Sequence, residues 1–220
     1  EEDAIAAEGR IEVLAERIAH HSHLYYNEAA AEISDADFDV LWDELKRLAP
    51  EHPQLSRIGA DVPPGSVKVI HRFPMKSLDK ASDAEELAHF VAETTAHGRR
   101  FLAMPKLDGS ALSLEYRRGR LVRAATRGNG ERGEDVTANA RRIPNVPFEL
   151  SWEGDCHIRG EVVMPLAIYR ERYAEISPNP RNLAAGSLRQ KHAEAGKGRA
   201  EDLLFHAYEV LFIPAAERHP

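Results

Sequence analysis

The spacing of apolar residues changes period along this chain, and that change restricts the fold more than any other feature. Ile5, Ile11, Leu14 and Ile18 recur near helical spacing, with Ala, Glu and Arg between them. Such a stripe predicts a helix over residues 4–20, running on into a polar-aromatic stretch of His20, His21, His23, Tyr25 and Tyr26. Ser34 reads as the cap of a second helix, with Asp35 and Asp37 in its acidic first turn. Phe38, Leu41, Leu45 and Leu48 form its buried stripe, and Pro50 and Pro53 stop it. The first 55 or so residues are therefore expected to be helical.

Beyond them the pattern breaks up. Gly59, Pro63, Pro64 and Gly65 mark a turn-rich connector over 56–73. A third helix is predicted over about 83–97, using Leu87, Phe90 and Val91. Short strand-like runs follow at 101–105, 111–116, 121–126, 157–164 and 203–212, with Gly119 turning the second into the third as a hairpin. A glycine-rich loop spans 127–133. A helix is expected near 166–175. Pro178 and Pro180 break it, and 182–191 looks helical. The fold class is thus α+β: a helical subdomain (1–57), a connector (58–73) and a domain built on a largely antiparallel sheet (74–220).

Charge and composition exclude several functions. The 220 residues carry 29 Lys+Arg against 36 Asp+Glu, a formal charge of -7. A self-sufficient nucleic-acid clamp needs a basic balance, because phosphate neutralisation drives its affinity. No run of 18 apolar residues offers a membrane span. The one cysteine, Cys156, excludes an internal disulfide and a multi-cysteine zinc site. The residue pattern assigns no metal ligands. A reducing cytoplasm and a monomeric state are the expectations.

The chemistry concentrates in the second unit. Lys106-Leu107-Asp108-Gly109 places a lysine after an apolar run and before a glycine. A lysine facing a pocket there could act as a nucleophile, although such a string is also a common surface turn. Arg127-Gly128-Asn129-Gly130 and Gly133-Glu134-Asp135 follow about twenty residues on. Arg127 could neutralise a phosphate, and the glycines let backbone approach a ligand. Glu161, at the end of a further strand, could accept from a ribose hydroxyl. Lys106, Arg127 and Glu161 together supply what a nucleotide pocket needs: nucleophile, anion neutraliser and sugar acceptor. Three ordinary loops with charged tips would look the same.

The order of the blocks resembles the bacterial NAD-dependent DNA ligases. Lys106-Leu107-Asp108-Gly109 is similar to that family's lysine motif, and 126–139, 159–161 and 179–190 are similar to the blocks after it. Pro74-Met75-Lys76-Ser77-Leu78-Asp79 resembles the block before it. Tyr25, Tyr26, Asp35, Phe38 and Asp39 match positions by which the family recognises the nicotinamide mononucleotide (NMN) half of NAD, in a unit that ATP-dependent ligases lack. The resemblance implies an ATP-grasp-like nucleotidyltransferase domain with NAD and Mg²⁺ as cofactors. It implies that Lys106 attacks the α-phosphate of NAD to form lysyl-AMP. AMP would then pass to the 5′-phosphate of nicked duplex DNA. Arg127 would hold phosphate and Glu161 the AMP ribose. Asp108 would organise the lysine or a magnesium-bound water. Ser77, Leu78 and Met104 would lie near the nucleoside, and Arg181 and Arg189 would contact the nick.

Three departures stand out. Met104 occupies a position where the family usually has a glutamate that contacts adenine. Asn129 replaces an aspartate, and Phe38 a tyrosine. The family's domain continues past a segment like His206-Ala207-Tyr208-Glu209, so the chain reads as an N-terminal portion of a ligase with weak DNA binding of its own. The alternatives are an ATP-dependent RNA ligase or capping-type nucleotidyltransferase, and a non-catalytic nucleotide-binding relative.

Overall fold

The apolar stripes of the first 50 residues form two paired helices. The computed structural model describes residues 2–24, 32–56, 66–76, 78, 80–190 and 198–214. Helix α1 (Glu2–His23) turns Leu14, Ala15 and Ile18 onto Leu41 and Leu45 of α2 (Asp35–Leu48), with Phe38, Trp42 and Leu48 half-buried around them. The cap is the expected one: the Ser34 hydroxyl accepts from the Asp37 amide at 3.1 Å. Arg10 grips Glu44 through two hydrogen bonds of 2.8 and 2.7 Å, which links α1 to α2. Pro53 opens a short helix α3 (Pro53–Ser56) rather than only ending α2.

The chain divides into two compact units, one of Glu1–Met75 with Asp108–Pro220, the other of Lys76–Leu107. The smaller holds α4 (Ala84–Ala96), capped by Asp83, whose carboxylate accepts from the amides of Glu85 and Glu86. The predicted helix forms, but its apolar residues stay open and one predicted strand is missing. Leu87, Phe90 and Val91 are exposed, and no residue of α4 is buried. The run 101–105 forms no strand, because a strand exists only through a ladder and no ladder reaches it among the described residues.

The larger unit holds a four-stranded antiparallel sheet. Strand β1 (Lys68–Ile70) lies inside what reads as a connector. Strands β2 (Ser110–Arg117) and β3 (Arg120–Thr126) form the predicted hairpin. Its turn residues Arg118 and Gly119 have φ of 49° and 73°, the left-handed pair that matches strand twist in a two-residue turn. Strand β4 (Arg132–Glu134) falls in the glycine-rich loop and pairs antiparallel with β1. These short strands carry too few residues for a periodic signal.

After α5 (Thr137–Ala140) come β5 (Cys156–Val163), α6 (Leu166–Arg172), α7 (Pro180–Arg189) and β6 (Leu204–Phe212). Pro180 begins α7 at its first turn, where its missing N–H is harmless, instead of breaking a helix. The sheet order is β3-β2-β5-β6. Alternation along the strands sends Leu112, Leu114, Tyr116 and Val162 into a core with Leu183, Leu188 and Leu203. The buried Tyr116 hydroxyl donates to the Pro147 carbonyl at 2.7 Å, and burial pushes its pKa up to about 12. No helix among the described residues is long and apolar enough to cross a membrane.

Candidate functional site

The opposite face of the sheet builds the site. On β5 the side chains of His157, Arg159 and Glu161 alternate with Ile158, Gly160 and Val162, so the three polar groups share one face. Glu161 therefore sits inside β5, two residues short of its end. Its Oε1 accepts the Gly109 amide at 3.1 Å. This bond joins two sequence blocks 52 residues apart. Gly109 must be glycine here, because a Cβ would run into the Val162 carbonyl.

Arg181 completes the arrangement. It follows Asn179, whose side-chain oxygen caps α7 by accepting from the Arg181 amide at 2.8 Å. From that seat its Nε donates to the Gly109 carbonyl at 3.1 Å, and its NH1 lies 3.1 Å from an Asp108 carboxylate oxygen. The guanidinium is largely enclosed, and burial brings its pKa down to about 10, so it stays cationic near neutral pH. Asp108, Gly109, Glu161 and Arg181 thus form one hydrogen-bonded group. The sequence offers Arg181 as a nick contact; its seat beside Asp108 is an added role.

Arg127 follows β3 directly and is half-buried. His71 Nε2 lies 3.0 Å from the Thr126 carbonyl and 3.2 Å from that of Arg127, so an Nε2–H proton serves both. Burial pulls the His71 pKa down, against those two carbonyls. Gly128 and Gly130 take left-handed φ of 56° and 90°. The Asn129 side-chain oxygen accepts from the amides of Glu131 and Arg132, at 3.1 and 2.9 Å. The side-chain oxygen that asparagine shares with aspartate is thus used within the loop itself.

Two residues here were not legible as site residues. Arg159 donates to the carbonyls of Phe73 and Pro74 and pairs with Glu209 at 3.0 Å. It thereby fastens the segment that leads into the block at 74–79. His71 holds the backbone on either side of Arg127. Each acts through partners far away in sequence, and no local pattern marks such a role.

Lys106, Met104 and Leu78 belong to the smaller unit and are exposed. Met104 is 50% exposed. In α2, Phe38 is half-buried beside Trp42, with ring centroids 6.1 Å apart, and Asp39 is exposed. Tyr25, Tyr26 and Ser77 lie outside the described residues, as does the Asp35 side chain. Arg189 is held down in pKa by burial, opposed by the charge of Glu134, and its Nε donates to the Ala185 carbonyl at 3.3 Å.

The family described as the NAD-dependent DNA ligase adenylation domain matches residues 66–219. The N-terminal NAD⁺-binding domain of DNA ligase-like proteins matches residues 4–67. A DNA ligase of Marinobacter nauticus is 41% identical over 91% of this chain and 33% of its own length. One of Hyphomonas neptunium is 40% identical over 96% of the chain and 34% of its length, and one of Brevibacillus brevis 35% identical over 99% and 35%. The chain spans about a third of the length of these relatives. It belongs to the NAD-dependent DNA ligase family, matching its N-terminal NAD⁺-binding and adenylation domains.

Proposed function

We propose that this chain is the NAD-reactive part of a DNA ligase and that Lys106 is its nucleophile. The observation that carries this reading is the group around Gly109. The turn just after Lys106 is fixed at its amide by Glu161 and at its carbonyl by Arg181. A nucleophile gains most from a fixed backbone when it must meet one phosphorus atom in line.

In the proposed reaction the Lys106 amine attacks the α-phosphorus of NAD. The P–N bond forms as the P–O bond to NMN breaks, NMN leaves with the electron pair, and the nitrogen releases its proton. Arg127 balances charge on the phosphate. Glu161 accepts from the AMP ribose while keeping the Gly109 amide. Tyr25, Tyr26, Asp35, Phe38 and Asp39 recognise the NMN half, aromatic faces against the nicotinamide and carboxylates toward ribose and amide. Ser77, Leu78 and Met104 line the nucleoside. Met104 offers a packing surface and no acceptor, so adenine is held here without a carboxylate hydrogen bond.

Magnesium fits the oxygen donors available, since Asp108 and Glu161 are carboxylates of the kind that hard cation prefers. When bound it would neutralise charge on the phosphate oxygens. In the later steps AMP passes to the 5′-phosphate at a nick, and the adjacent 3′-hydroxyl displaces it. Arg181 and Arg189 supply cationic charge for that phosphate. The acid excess of the chain fits a division of labour in which duplex gripping lies in the remaining two-thirds of such ligases.

Release of NMN tests the reading. In a chain extended to the length of its relatives, one equivalent of NMN should appear from NAD in a burst. None should appear in Lys106→Arg. Equal bursts from both proteins would refute it.

A further inference from the structure

We propose that His20, His21 and Glu32 form a binding site for a transition-metal ion of the zinc class. The ligand-capable atoms of these three residues all lie within 4.8 Å of one another. His20 Nε2 is 3.1 Å from Glu32 Oε2, and His21 Nδ1 is 3.9 Å from the same oxygen. In a tetrahedral site with bonds of about 2.0–2.1 Å, neighbouring ligand atoms stand about 3.4 Å apart. The two distances to Glu32 bracket that value.

Neighbouring residues on a helix point about 100° apart, so adjacent histidines do not ordinarily converge. Here they do, because His20 presents its far nitrogen, Nε2, and His21 its near one, Nδ1. Their ring centroids are 5.1 Å apart, edge to face.

Two further observations point to an ion. The His21 side chain is 11% exposed, and its Nδ1 is fully enclosed with no hydrogen-bond partner among the described residues. An enclosed imidazole nitrogen aimed at a carboxylate beyond hydrogen-bond reach is a ligand position awaiting an atom between them. The site also lies in the last turn of α1, where the backbone carbonyls favour positive charge.

The donor set selects the ion class. Two imidazoles and one carboxylate suit Zn²⁺, Co²⁺ or Ni²⁺. Magnesium prefers oxygen ligands alone. This site is therefore separate in chemistry from the magnesium implied for phosphate transfer. Three protein ligands leave a fourth position for water. In sequence the ligands bracket residues 22–31, which include Tyr25 and Tyr26. A bound ion would tie the end of α1 to the residues entering α2.

Titration of the whole chain with Co²⁺ tests the site, read by the visible absorption of a four- or five-coordinate ion. One equivalent should bind and be displaced by Zn²⁺. His20→Ala and Glu32→Gln should each weaken binding at least tenfold. Both residues are exposed, so far-UV circular dichroism should stay unchanged. His89→Ala, at an exposed histidine–glutamate pair on α4, should bind as the parent does. No cobalt spectrum at millimolar ion overturns the proposal. So does a spectrum that survives in the His20→Ala/Glu32→Gln double variant.

Discussion

Arg181 and Asp108 meet at 3.1 Å across 73 residues of sequence, and the same guanidinium holds the Gly109 carbonyl. A cation on a helix N-terminal turn is thereby bonded to the turn that follows the proposed nucleophile. Asp108 is largely exposed, so the ion pair itself adds little to stability. Its value lies in position, through a planar fork that reaches a carboxylate and a carbonyl together.

Arg181→Lys keeps the charge and loses that fork. We expect NAD affinity to change little and the single-turnover rate of lysyl-AMP formation to fall by about 10²-fold, the usual consequence of a reacting group displaced by an ångström. Rapid-quench measurement of adenylate against time, beside NAD binding by calorimetry, separates the two. A loss confined to affinity would contradict a positioning role.

Two glycines in neighbouring blocks should respond oppositely to alanine. At Gly160 a Cβ meets the Phe205 ring and the His206 carbonyl, so Gly160→Ala should destabilise by about 1–3 kcal/mol. At Gly186, exposed within α7, a Cβ meets nothing within 4 Å. Gly186→Ala should stabilise by about 0.5–1 kcal/mol through helix propensity. Urea unfolding midpoints check both signs.

His71 and His157 give a pH dependence with a definite sign. Burial is the first cause that lowers the pKa of each, and the positive charge of Arg159 adds to it. At His157, Glu115 opposes the shift, while Arg72 and His71 reinforce it. The unfolded chain therefore takes up protons first as pH falls below the ordinary histidine value of about 6.5. Stability is full above that value and is lost as pH drops toward the folded values. In His71→Gln/His157→Gln the fall in urea midpoint between about pH 6.5 and pH 5 should be shallower. An unchanged slope would assign the loss to other groups.

Much of the architecture was legible in the sequence, for reasons tied to particular residues. The stripe from Leu14 to Ile18 and the Ser34 cap locate two helices, because helical periodicity and capping are local. The β2–β3 hairpin follows from alternation around Gly119. Strands β1 and β4 were not legible, since each has three residues and exists only through the other. The run 101–105 has the composition of a strand and no ladder. Leu87, Phe90 and Val91 have helical spacing and are nonetheless exposed, and periodicity reports a stripe without reporting what covers it.

The site divides in the same way. Block order marks Lys106, Asp108, Arg127, Glu161, Arg181 and Arg189 through resemblance. The bonds that join Glu161 to Gly109 and Arg181 to Asp108 span 52 and 73 residues and follow only from the fold. Arg159 and His71 carry no such mark, because His71 holds backbone carbonyls and Arg159 holds two more beside its pair with Glu209, and carbonyls leave no trace in residue identity.

Intact-mass spectrometry tests the role of Lys106 most directly. The chain, extended to the length of its relatives, is incubated with Mg²⁺ and either NAD or ATP. We expect a mass increase of one AMP from NAD alone, located on Lys106 by peptide mapping and absent in Lys106→Ala. An adduct formed from ATP and not from NAD, or one that persists in Lys106→Ala, would contradict the assignment.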